Sequence, residues 1–133
     1  MSSSANRQKP TVIVLDDDVS ICRALKRQLE IFGFSVLIFH SAERLLASEI
    51  PTDDACLLSD VYLVGINGIE VCQRLAAAGS NLPAILMSGR DDEQTKKLMS
   101  DAKPIASLFK PFDQNELISA IRRALRRRLK RRQ

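Results

Sequence analysis

The stretch TVIVLDDD, residues 11–18, decides the fold of this 133-residue chain: a β-branched apolar run breaks off into three consecutive aspartates. A run so short, apolar and rich in Val, Ile and Thr reads as a buried strand, and the aspartates mark where it leaves the core. From Val19 onward the pattern changes. Ile21, Leu25, Leu29 and Phe32 recur at helical spacing with Arg23, Lys26, Arg27 and Glu30 between them, and Gly33 stops the helix.

The same alternation then repeats. Residues 34–39 read as a second strand, Ser41 caps a short helix opening at Ala42, and Pro51, Thr52, Asp53 and Asp54 break it. Residues 55–59 form a third strand ending in Asp60, and Gly68 starts a helix whose apolar face includes Ile69, Val71, Cys72 and Leu75. Gly79, Ser80 and Asn81 end it. Residues 83–87 are a fourth strand running into Ser88, Gly89 and Arg90, followed by a helix of mixed polarity over about 92–100. A short fifth strand at 106–109 ends at Lys110 and Pro111, and Asp113 caps a last helix with Leu117, Ile118, Ile121, Leu125 and Leu129 inward. Five strands alternating with five helices predict an α/β fold, a doubly wound parallel sheet.

Composition bounds the rest. With 45% apolar and 27% charged residues the chain reads as one soluble domain, with no room for a second. No window approaches a membrane span, and residues 1–10 are polar where a signal peptide would be apolar, so they read as a disordered leader on a cytoplasmic protein. The three cysteines, Cys22, Cys56 and Cys72, form no C-x-x-C pair, which excludes a disulfide scaffold and a zinc ribbon. Cys56 and Cys72 read as small core residues. The single histidine, His40, excludes a His-rich metal site and a Cys-His couple, and itself reads as a surface polar residue. The net charge of +4 is unevenly spread: residues 122–133 carry eight Lys or Arg and no acid, so residues 1–121 are acidic overall.

In open α/β sheets the site lies beyond the carboxyl ends of the strands. Asp16 and Asp17 follow the first strand there, Asp60 the third, Ser88 the fourth and Lys110 the fifth. Three carboxylates meeting at one edge repel one another unless a cation intervenes, and oxygen donors favour a hard divalent ion, Mg²⁺ above all. Lys110 adds a fixed positive charge and Ser88 a hydroxyl. The alternative role for Asp16 and Asp17 is capping of the first helix, and Asp18 reads as a cap reaching Ser20. Gly89 and Gly68 read as backbone requirements, a tight turn and a loop with positive φ.

Asp16-Asp17, Asp60 with Gly68 eight residues on, Ser88-Gly89 and Lys110-Pro111-Phe112 together resemble the receiver domain of two-component response regulators, in the branch of nitrogen-fixation regulators whose first strand also ends in three aspartates. The resemblance covers residues 11–125 and leaves 126–133 as a basic extension of the last helix. It implies the flavodoxin-like strand order 2-1-3-4-5. It also implies that Asp60 accepts a phosphoryl group from a histidine kinase, a histidine phosphotransfer protein or a small phosphodonor. Asp17 and Asp60 would bind Mg²⁺ directly and Asp16 through water, with the main-chain carbonyl of Tyr62 completing the protein ligands. Lys110 would pair with Asp60, Ser88 would turn toward the phosphoryl group, and the Lys110-Pro111 bond would be cis. The domain would assist its own phosphorylation and dephosphorylation without being an enzyme in the usual sense, and would signal through a downstream protein target or an output domain, with dimerisation on phosphorylation left open.

The chain departs from the family at three places. Val64 stands where a proline is usual, Ser107 where an inward-turning Tyr or Phe is common, and Ala102-Lys103-Pro104-Ile105 where a small turn is common. Two other functions compete. One is binding of nucleic acid or an acidic partner through residues 122–133. The other is a hydrolase of the haloacid dehalogenase type, whose D-x-D pattern Asp16-Asp17-Asp18 formally satisfies, but which leaves Asp60 unexplained and needs a cap for which the chain has no length.

Overall fold

The computed structural model describes residues 9–132, with side chains described as far as Arg126. Most of the expected leader, the side chains of the basic extension beyond Arg126, and Leu129 with them, lie outside the described residues. Ten elements alternate: β1 (Thr11–Leu15), α1 (Val19–Ile31), β2 (Ser35–Phe39), α2 (Ala42–Leu46), β3 (Ala55–Asp60), α3 (Gly68–Ala77), β4 (Ala84–Ser88), α4 (Glu93–Asp101), β5 (Ala106–Phe109) and α5 (Gln114–Arg132). The strands make one all-parallel sheet in the order β2-β1-β3-β4-β5, as expected for a doubly wound fold. No helix among the described residues is long and apolar enough to cross a membrane.

Strand periodicity divides the core into two layers. Val12, Val14, Cys56, Leu58, Ile85, Met87 and Leu108 face α1 and α5, where Leu25, Leu29, Leu117 and Ile121 meet them. Ile13, Leu15 and Leu57 face the other way onto Ala42, Leu45 and Val71. A smaller cluster of Val61, Ile69, Leu86 and Met99 seats α4. Because both faces of the sheet are covered, the strands are apolar throughout instead of alternating with polar residues, and the three central ones carry most of the burial.

Helix ends follow local chemistry. Asp18 caps α1 by accepting from the Ser20 and Ile21 amides, while Ser41, Asn67 and Asp92 cap α2, α3 and α4. At α5 a reciprocal capping box forms: the Glu116 amide donates to Asp113 Oδ1 at 2.8 Å and the Asp113 amide to Glu116 Oε1 at 3.2 Å. Phe34, expected in the second strand, is instead spent on closing α1. Its amide donates to Leu29 O and that of Gly33, at φ +92°, to Glu30 O, the two bonds of a Schellman cap.

The positive φ expected at Gly68 is corrected by the backbone, whereas Gly89 does sit in a turn. Positive φ occurs at Gly33, Gly65 and Gly79, and at neither of those two. Gly68 is needed for space, because a Cβ there would run into the Asp60 carbonyl oxygen and come within 2.6 Å of Ser59 Oγ. The start of α3 thus lies directly on the strand end that carries Asp60, and the Gly68 amide donates to Val61 O at 2.8 Å. A Cβ on Gly89 would meet nothing within 4 Å. Replacing Gly68 by Ala is therefore expected to destabilise the fold by about 3 kcal/mol, the upper range for forced overpacking. Gly89→Ala should cost less than about 1 kcal/mol. Urea unfolding of both variants checks the contrast, and equal losses would overturn this account of Gly68.

Candidate functional site

Strand register builds the site. Leu15 pairs with Phe39 on one side and Ser59 on the other, Asp60 pairs with Met87, and Ser88 with Phe109. The ladder runs one residue past the strands: Asp16 N–H donates to Phe39 O, Val61 N–H to Met87 O and Lys110 N–H to Ser88 O, at 2.8–3.1 Å. Asp16, Asp60, Ser88 and Lys110 therefore share one sheet edge with fixed backbones.

One carboxylate oxygen from each of Asp16, Asp17 and Asp60 lies within 4.8 Å of the others. Lys110 Nζ donates to Asp16 Oδ2 at 2.8 Å and lies 3.7 Å from Asp60 Oδ1. The lysine is thus hydrogen-bonded to Asp16 and within ion-pair range of Asp60, the partner the family resemblance implies. Asp16 is buried and both its oxygens are engaged, since the Asp18 amide donates to Oδ1 at 2.9 Å. Asp17 is exposed. Burial pushes the Asp60 carboxyl up from its usual value of 3.8 to about 6; Lys110 and the Val61 amide pull against that rise, and the charges of Asp16 and Asp17 add to it.

This donor set fits a hard divalent cation. All three groups are carboxylate oxygens within the span of one coordination sphere, and a single lysine leaves them negative in sum. Ser88 is fully buried at the end of β4, and its Oγ accepts from the Arg90 amide at 2.9 Å, closing a small turn around Gly89. The Lys110–Pro111 peptide bond is cis. Tyr62 lies two residues past Asp60. Its hydroxyl is 2.6 Å from the buried Thr95 of α4, and the Arg90 guanidinium stacks 4.5 Å from its ring centroid.

Sequence reading missed four neighbours of this site. Thr95 is hidden in a helix of mixed polarity, and Arg90 in a turn. Cys22 looks like a core residue, but its thiol donates to the Asp16 carbonyl at 3.3 Å. Burial above all, with the charges of Asp16 and Asp18 adding, pushes that thiol up to about 11, so it remains S–H. His40 looks like a plain surface residue, but its Nδ1 lies 3.1 Å from the same carbonyl. Only its position directly after the second strand hinted at the site.

The site is an acidic pocket able to hold a metal, faced by a lysine at the carboxyl edge of a five-stranded parallel sheet. A sequence model of the response regulator receiver domain matches residues 12–122, and this chain belongs to that family. Nodulation protein W of Bradyrhizobium diazoefficiens is 33% identical over 125 residues, covering 94% of this chain and 55% of that protein. The structure of the response regulator StyR superposes with a TM-score of 0.84 at 33% identity, covering 93% of this chain and 63% of that one. FixJ-N gives a TM-score of 0.81 at 28% identity, covering 90% of this chain and 96% of that one. The chain spans about half the length of the curated relatives it matches. It is a receiver domain of two-component signalling, a signalling module and not a classical enzyme, which sets aside the dehalogenase-type hydrolase.

The raised Asp60 carboxyl has a stability consequence. Its protonated form is favoured in the fold, so the metal-free protein loses stability as pH rises from about 4 through 6, and the loss is complete above that. The full effect is about 2–3 kcal/mol at about 1.4 kcal/mol per pH unit. Asp60→Asn in a metal-chelating buffer is expected to be more stable than the parent by about 2 kcal/mol at pH 7.5, with the gain vanishing near pH 4. Denaturant unfolding across that window measures it, and a gain independent of pH would contradict the assignment.

Proposed function

We propose that this chain is a Mg²⁺-dependent phosphoacceptor in a His-to-Asp relay, with Asp60 as the acceptor. The observation that carries the reading is the division of labour among the three carboxylates. Asp16 is buried with both oxygens bonded, Asp17 faces solvent, and Asp60 lies within 4.8 Å of both with Lys110 at 3.7 Å. Among the three, Asp60 alone combines a carboxylate with no short hydrogen bond from a side chain, a fixed cation beside it and a backbone clamped by α3.

Asp17 and Asp60 would hold Mg²⁺ directly, Asp16 through water, and the Tyr62 carbonyl would complete the protein ligands. The ion would supply positive charge for the phosphoryl oxygens. In transfer, an ionised Asp60 oxygen attacks the phosphorus of a phosphohistidine on a partner kinase or phosphotransfer protein. The P–O bond forms as the P–N bond breaks, and the histidine nitrogen leaves with that electron pair and takes a proton from solvent. Charge is spread over the three equatorial oxygens during this exchange, so the domain's task is to position and neutralise. Lys110 meets one oxygen from its place beside Asp60. Ser88 can donate its hydroxyl hydrogen to another, since the Arg90 amide leaves that hydrogen uncommitted. Residues 11–125 form the receiver unit, and the signal passes by protein contacts to a downstream target or to an output domain like those of longer relatives.

Intact-protein mass after incubation with acetyl phosphate tests this directly. One Mg²⁺-dependent, base-labile phosphoryl adduct is expected on the parent chain and none on Asp60→Asn. Lys110→Ala should form it at least about tenfold more slowly, as loss of a charge-assisted contact of about 1.5–3 kcal/mol requires. No adduct on a parent chain that binds Mg²⁺ would refute the reading.

A second function is favoured by one observation. α5 stays helical to Arg132, ten residues beyond the family match, while Leu125 is the last core residue described. A basic helix leaving the domain suits a polyanion. Heparin affinity should fall steeply with salt and disappear when the Lys and Arg residues of 122–133 are replaced by Ser, while retention independent of salt would exclude it.

A further inference from the structure

Asp16 is held at every polar atom, and its main chain is held from one short segment. Its N–H donates to Phe39 O at 3.1 Å, and its carbonyl lies 3.1 Å from Nδ1 of His40, the very next residue. A carbonyl oxygen only accepts, so Nδ1 carries the hydrogen. Ser41, next again, anchors the segment by capping α2, its Oγ accepting from the Arg44 amide at 3.2 Å. From the opposite side the Cys22 thiol reaches the same oxygen at 3.3 Å.

The consequence falls on Asp17. The Asp16 carbonyl belongs to the peptide unit whose other end is the Asp17 amide, so fixing that plane fixes the origin of the Asp17 side chain. Asp17 is exposed and packed against little. Its direction toward Asp60 therefore depends on the backbone beneath it. His40 is itself largely exposed, so its ring adds little to the core, and its polar contact with the site is through this one atom.

We propose that His40 is a positioning residue for the acidic site: its ring N–H, with the Cys22 thiol opposite, holds the Asp16–Asp17 peptide so that the Asp17 carboxylate meets Asp60. This rests on the reading of Asp16, Asp17 and Asp60 as a Mg²⁺ site. Groups that orient a metal ligand tune affinity without touching the ion.

The test is calorimetric titration of Mg²⁺ into the parent chain, His40→Phe, His40→Asn and Asp17→Asn, at one fixed pH, with thermal midpoints taken without Mg²⁺. His40→Phe keeps a flat ring and loses the donor, and binding about fivefold weaker is expected for one hydrogen bond. His40→Asn puts an amide N–H in reach of the same carbonyl and should bind within about twofold of the parent, and both His40 variants should melt near the parent. His40→Phe binding like the parent, or His40→Asn as weak as His40→Phe, overturns the proposal. If His40→Phe or His40→Asn gives that overturning result while Asp17→Asn loses Mg²⁺, only His40's role falls; if the parent binds no Mg²⁺, the reading of the acidic cluster falls with it.

Discussion

Three carboxylates and one lysine converge on a single edge because the parallel register leaves them nowhere else to go. β1 and β3 pair so that the residues leaving them, Asp16 and Asp60, emerge side by side, and β5 delivers Lys110 to the same level through Ser88. Like charges at this spacing oppose folding, and the chain meets that cost locally. Lys110 and the Asp18 amide take both oxygens of Asp16, while Asp60 is left with a raised carboxyl. The strain is concentrated on one residue, which is the residue a cation or a phosphoryl group would engage.

Much of this was legible in the sequence, and for a physical reason. Apolar runs ending in Asp16, Asp60, Ser88 and Lys110 state both where a strand stops and what it presents, because a buried parallel strand tolerates polar groups only at its ends. The fifth strand lies where the pattern puts it, at Ala106–Phe109. Other features depend on pairing that linear pattern does not encode. Phe34 reads as strand by composition, yet its amide closes α1. Gly68 reads as a loop glycine with positive φ, yet its lack of a Cβ serves a helix start pressed against the Asp60 carbonyl.

Lys110 marks the boundary between the two kinds of information. Its type and place foretell a cation at the site, but not which carboxylate it bonds. That choice depends on side-chain reach across the sheet, and here Asp16, already buried, takes the short bond. His40 and Cys22 are invisible for a similar reason: each acts on a backbone carbonyl, and no residue pattern announces a main-chain partner 24 or 6 positions away.

The same logic bears on how the site connects to the rest of the surface. Ser107, exposed on β5, cannot provide the aromatic coupling common in the family. An aromatic group in polar contact with α4 comes instead from the loop after Asp60, while Phe109 of β5 packs on the cluster around Met99. Tyr62 reaches the buried Thr95 with its hydroxyl and carries Arg90 on its face, and the amide of Arg90 holds Ser88 Oγ. Tyr62, Thr95, Arg90 and Ser88 are thus linked contact by contact, from two residues past Asp60 to the hydroxyl at the end of β4. In this chain, then, one polar link between the strand ends and α4 runs over the sheet edge through Tyr62, beside the apolar cluster that joins Leu86 and Phe109 to Met99.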